Sequence, residues 1–92
     1  MGLRRTADYR EVRVHIISVE RLQNTADGNP RYRLESTGGT WETKPDGTFA
    51  ARLDASDLAG WDAEVGITRD SRGVWHWMGV RRIAKRPPEL QY

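Results

Sequence analysis

Cysteine is missing from all 92 residues, which excludes a disulfide framework and every thiolate metal site. Packing alone must hold the fold. Long apolar runs are missing too: nothing comes near the roughly 20 residues that a bilayer-spanning helix needs. No apolar h-region follows Arg4 and Arg5, so the expectation is a soluble intracellular protein with no membrane contact. Chemistry-bearing motifs are equally scarce. There is no Gly-rich phosphate loop ending in Lys-Ser or Lys-Thr, no nucleophile elbow, and no His-Glu pair at helical spacing. The two histidines, His15 and His76, stand far apart in the chain, whereas metal sites draw on clustered ligands. Asp54, Asp57, Asp62 and Glu64 crowd together but lack the spacing of a calcium loop. The sequence points away from an enzyme, and it implies no cofactor and no metal.

A chain of this length makes one domain with a small core. Fifteen basic residues against thirteen acidic ones leave a net charge of +2, so the overall field steers partners weakly. The kind of cation is more informative. Only Lys44 and Lys85 are lysines, and the rest are arginines, whose planar forks suit phosphates, carboxylates and aromatic faces. A GC-rich coding genome yields the same bias. Four tryptophans are many for such a chain, and some of them must build the core.

Residues 1–10 carry no apolar period and read as a flexible basic arm. From Glu11 to Leu22, Val12, Val14 and Ile16 alternate with Arg13 and His15, at the period of a half-buried strand. The phase then slips to Ile17 and Val19, which predicts a bulge. Asn24–Pro30 is dense in turn formers, and Tyr32 and Leu34 alternate with arginines as a second strand. Thr37-Gly38-Gly39 turns the chain into a third strand with Trp41 inward. Phe49–Leu53 reads either as a short strand or as the approach to a helix, and Asp54–Gly60 reads as one or two helical turns. Val65 and Ile67 mark a fourth strand; Asp70–Gly73 turns into a last strand, Val74–Ile83. Ala84 onward, with Pro87-Pro88, should leave the sheet. The predicted architecture is mostly β, a small five-stranded OB-like or SH3-like barrel over residues 11–84. One short helix lies between strands 3 and 4, and a flexible tail covers 85–92.

The last strand is the most informative segment. Val74, His76, Met78 and Val80 share one parity; Trp75, Trp77, Gly79, Arg81 and Ile83 share the other. Both faces are largely apolar, yet a small barrel has one interior. Two uses for the spare face follow. Trp75 and Trp77 stack bases while Arg31, Arg33, Arg81 and Arg82 meet phosphates, as in proteins that bind single-stranded nucleic acid. Alternatively, the apolar face is buried against a host protein or a second copy of the chain. Against both stands burial of the Trp pair in the core. Trp41 and Trp61 read as core or helix-packing residues.

The stretch from Val19 to Leu34, with its Gly28-Asn29-Pro30 turn, Gly39-Thr40-Trp41, Thr43-Lys44-Pro45-Asp46 and Val80-Arg81-Arg82 carry a further signal. In these motifs the chain resembles small proteins encoded by phages of actinobacteria. The resemblance spans most of residues 12–83, and Trp75-His76-Trp77 departs from it. It implies a phage accessory protein working in a bacterial cytoplasm. The group brings no established activity, so no site residues carry over.

Overall fold

The computed structural model describes residues 8–45, 49–50, 53 and 57–85. Five strands are present: β1 (Tyr9–Leu22), β2 (Arg31–Ser36), β3 (Gly39–Glu42), β4 (Trp61–Arg69) and β5 (Trp75–Lys85). They belong to one sheet that closes in a ring in the order β1-β2-β3-β5-β4. All contacts are antiparallel except β3–β5, which is parallel and brings Glu42 beside His76.

β1 serves two neighbours. Tyr9–His15 pairs with β4 and Ile16–Leu22 pairs with β2. The predicted bulge falls at the handover, where Ile16 faces Ser36 but Ser18 faces Glu35. Ile17 is the extra residue and is thrown outward, half exposed, rather than joining the interior as its parity suggested. A bulge inserts one residue and bends the strand. Val14 and Ile16 point in before it, and Val19 packs against the core after it. That bend lets one strand close the ring.

Strand ends differ slightly from expectation. Tyr9 and Arg10, assigned to the arm, pair with Thr68 and Ile67, while Ala84 and Lys85 stay paired with Asp62 and Trp61. Of the expected helix, Asp57–Gly60 forms turns and Asp54–Ser56 lies outside the described residues. Phe49 and Ala50 have helical backbone, and no helix is assigned among the described residues. Among the described residues no helix is long and apolar enough to cross a membrane.

The core comprises Val14, Ile16, Leu34, Leu58, Ala63, Val65, Ile67 and Trp77. Burying each large apolar side chain among them contributes about 1.5–3 kcal/mol. Trp77 is the largest. It is fully buried, meets Phe49 edge-to-face with ring centroids 5.1 Å apart, and donates its indole N–H to the Tyr32 carbonyl at 3.1 Å.

Candidate nucleic-acid interface

The β4–β5 register decides which side chains of β5 are available. Gly66 faces Gly79 but Ile67 faces Trp77, so Met78 is an extra residue. The bulge flips the parity. Trp75 and Trp77 point inward before it, and Val80 packs inward after it. A second irregularity between Asp62 and Ala63 makes Ile83 extra. The two-faced pattern of the sequence is thus one interior face that changes parity, leaving Val74 and Met78 as the exposed apolar residues of this segment.

This geometry corrects part of the predicted site. Trp77 has no exposed surface and stacks no base. Arg31 donates to Glu42 Oε1 at 2.6 Å, and Arg33 spans Glu42 Oε2 and Glu20 Oε1, both at 3.0 Å. The Arg33 hydrogen bond, helped by Arg31, holds the Glu42 carboxyl below the usual carboxylate range, while Glu42 raises Arg33 further. Both arginines of β2 therefore already hold carboxylates. Arg81 likewise donates to Glu64 Oε1 at 2.6 Å. Arg82 lies over the Trp61 ring, 5.7 Å from its centroid. Trp75 and Arg82 sit seven residues apart on one strand, about 23 Å at the rise of an extended chain. The six residues do not form one surface.

Trp75 does form one, with partners the sequence reading did not single out. The guanidiniums of Arg10 and Arg69 lie 5.2 Å and 5.4 Å from its ring centroid, and the ring is half-buried. Arg10 comes from β1, Arg69 from the end of β4 and Trp75 from the start of β5, all with the inward parity at the rim, where the ring opens. Arg69 also donates to Asp8 Oδ1 at 2.9 Å, whereas Arg10 has no ion pair among the described residues. Such cation–π contacts contribute about 0.5–1 kcal/mol at exposed sites. Cations at strand ends and an aromatic at a turn are a common pairing, and nothing in the local sequence marks which will meet.

Two further elements reach the same end. The β1–β2 loop, residues 23–30, carries Arg21 at its root, 5.5 Å from the Tyr32 ring centroid and bonded to Asn24 Oδ1. Asn29 of that loop donates to the Pro45 carbonyl, which places Lys44 beside it. In the β4–β5 turn, Asp70 accepts from the Arg72 and Val74 amides at 2.8 Å and 3.0 Å and from His76 Nε2 at 2.9 Å. A carboxylate only accepts, so Nε2 carries the proton. Those bonds, His76 foremost, hold the Asp70 carboxyl far below its ordinary range. The turn is clamped, and it presents Arg72 to solvent. Among the described residues no group of three or more potential ligands gathers to hold a metal.

Compared with known proteins, the chain matches no family model, no curated protein and no solved structure.

Proposed function

We propose that the protein is an OB-like barrel that binds single-stranded nucleic acid, without base preference, at the rim built by Trp75, Arg10 and Arg69 with Tyr32 and Arg21 beside it. Three features support the OB-like reading over an SH3-like one: a bent first strand shared by β2 and β4, a parallel β3–β5 contact, and helical residues between β3 and β4. OB-folds bind oligonucleotides on the β2–β3 face and through the loops after strands 1 and 4. Here that face carries arginines already bound to Glu42 and Glu20. Arg21 stands at the root of the first of these loops and Arg72 in the second, with Lys44 on the segment after β3.

The carrying observation is the half-buried Trp75 ring with two guanidiniums stacked on it. Bases and guanidinium planes compete for the same aromatic faces. A base that displaces Arg10 gains the indole and frees a cation for the adjoining phosphate. Trp75→Ala tests this in a fluorescence-anisotropy titration with a labelled thymidine oligonucleotide. Loss of one stacking platform should weaken binding by about 1–3 kcal/mol, whereas undiminished binding by a folded variant would exclude the rim.

A second reading rests on Val74, just before β5, and Met78 on β5, which are 49% and 45% exposed. They suit burial against a host protein or a second copy of the chain, a role consistent with a phage accessory protein in a bacterial cytoplasm. Association of that kind changes little with salt, whereas phosphate binding falls steeply as counterions are released.

A further inference from the structure

A cavity of about 370 Å³ opens beside β1 and β4, lined by Arg13, Val14, His15, Thr37, Asp62 and Ile83. Its lining on β1 begins at Arg13, three residues from Arg10, about 10 Å at the rise of an extended strand, and Arg13 has the opposite parity to Arg10, so it is separate from the rim. We propose that this cavity binds phosphate, free or as a monoester, between the Arg13 guanidinium and the His15 imidazole that Asp62 orients.

The register of the outer face leaves Arg13 unmatched. Arg13 stands opposite Glu64 across β1 and β4, but Glu64 gives Oε1 to Arg81 at 2.6 Å on the other side. Arg13 makes no ion pair or hydrogen bond with any described side chain, and among the described residues its guanidinium is the one arginine or lysine cation on the cavity wall. A planar fork with no internal acceptor is suited to a bidentate oxyanion.

His15 is held in place from two sides. Its Nδ1 lies 2.8 Å from Asp62 Oδ1, and the carboxylate only accepts, so Nδ1 carries the proton and Nε2 is left without a partner among the described residues. The His15 main-chain N–H donates to Thr37 Oγ1 at 3.0 Å, which leaves the Thr37 hydroxyl proton for another acceptor. Among the described residues lining the cavity, the charged groups facing His15 are Arg13 on its own strand and Asp62 on β4; Thr37 from the β2–β3 turn and Ile83 from β5 are uncharged. A phosphate dianion between Arg13 and Nε2 stabilises the imidazolium, and Asp62 supports that charge from behind. A purely structural role, tying β1 to β4, would need the His15–Asp62 pair but would leave Arg13 without use.

The test is imidazole NMR on the full chain, titrated with inorganic phosphate at constant ionic strength. The chain has two histidines, and His76, locked to Asp70, is the internal control. His15 resonances should shift saturably and its titration midpoint should rise with phosphate, while His76 stays still. Arg13→Ala, an exposed strand position, should weaken phosphate binding about tenfold or more, the loss of a charge-assisted bond. Oligonucleotides with and without a 5′ phosphate separate the sources. A His15 shift with only the phosphorylated strand assigns a nucleic-acid terminus, and a shift with inorganic phosphate alone assigns the free anion. A His15 signal unmoved by either, or an Arg13→Ala response equal to wild type, overturns the proposal. Unphosphorylated strand reports on Trp75 and not on His15, so the two sites fail independently.

Discussion

The indole N–H of Trp77 donates to the main-chain carbonyl of Tyr32 at 3.1 Å, across the interior of the ring from β5 to β2. The strand between them, β3, meets β5 through the single pair Glu42 and His76. The indole bond therefore reinforces the thinnest seam of the closed sheet. Trp77→Ala should cost about 3–5 kcal/mol, as large aromatic truncations in cores do. Trp77→Phe should cost much less, because the Tyr32 carbonyl still accepts from the Thr43 amide at 3.0 Å and a ring still meets Phe49. Urea denaturation followed by far-UV circular dichroism measures both.

Acid should loosen the β4–β5 turn, which Asp70 holds at neutral pH. Asp70 has a folded-state pKa depressed chiefly by its bond to His76, then by the Val74 and Arg72 amides. A depressed carboxylate stabilises the fold above its unfolded pKa, about 3.9 for Asp. That stability is lost as pH falls through the folded value. Below about pH 4 the wild type should lose thermal stability progressively. Asp70→Asn should start lower at pH 7 and show a flatter decline over the same acid range. Equal slopes for the two proteins in differential scanning calorimetry would contradict this role of Asp70.

Glu42 holds two arginines in place, at 2.6 Å for Arg31 and 3.0 Å for Arg33. Glu42→Gln should release Arg31, leave Arg33 held by Glu20 alone, and tighten binding of single-stranded DNA. Each additional phosphate contact steepens the dependence of log affinity on log salt by about 0.7, so a gain of up to about 1.4 is expected for two contacts. Titrations at a series of salt concentrations read that slope directly.

The turn between β2 and β3 is packed too closely for a side chain at its second position. A Cβ on Gly38 would lie 2.5 Å from Val14 Cγ1, a core atom, whereas one on Gly79 would meet nothing within 4 Å. Gly38→Ala should destabilise by about 1–3 kcal/mol through overpacking, and Gly79→Ala should be close to neutral. Thermal melts of the two variants side by side make the comparison.

The sequence carried the architecture better than the site, for reasons visible in particular residues. β1 was legible because Arg13 and His15 mark the outer face between Val12, Val14 and Ile16, so the slip at Ile17 showed as a break in a clear period. β5 gave no such marker. With apolar residues on both parities, the bulge at Met78 that turns Val80 inward leaves no trace in the pattern. Arg31 and Arg33 looked free because their carboxylate, Glu42, arrives by the β2–β3 register. Arg10, Arg69 and Trp75 meet only once β4 lies between β1 and β5, and His15 finds Asp62 by the same pairing. Local spacing reads faces; it does not read which strands become neighbours.

The most direct measurement is a titration of the wild-type chain with a short thymidine oligonucleotide at two salt concentrations, followed by intrinsic tryptophan fluorescence. A rim that stacks bases on Trp75 and meets phosphates with Arg10 and Arg21 requires quenching that saturates at low salt and weakens steeply at the higher one. A flat trace from the folded protein at low salt would contradict nucleic-acid binding and leave Val74 and Met78, with a protein partner, as the surface to pursue.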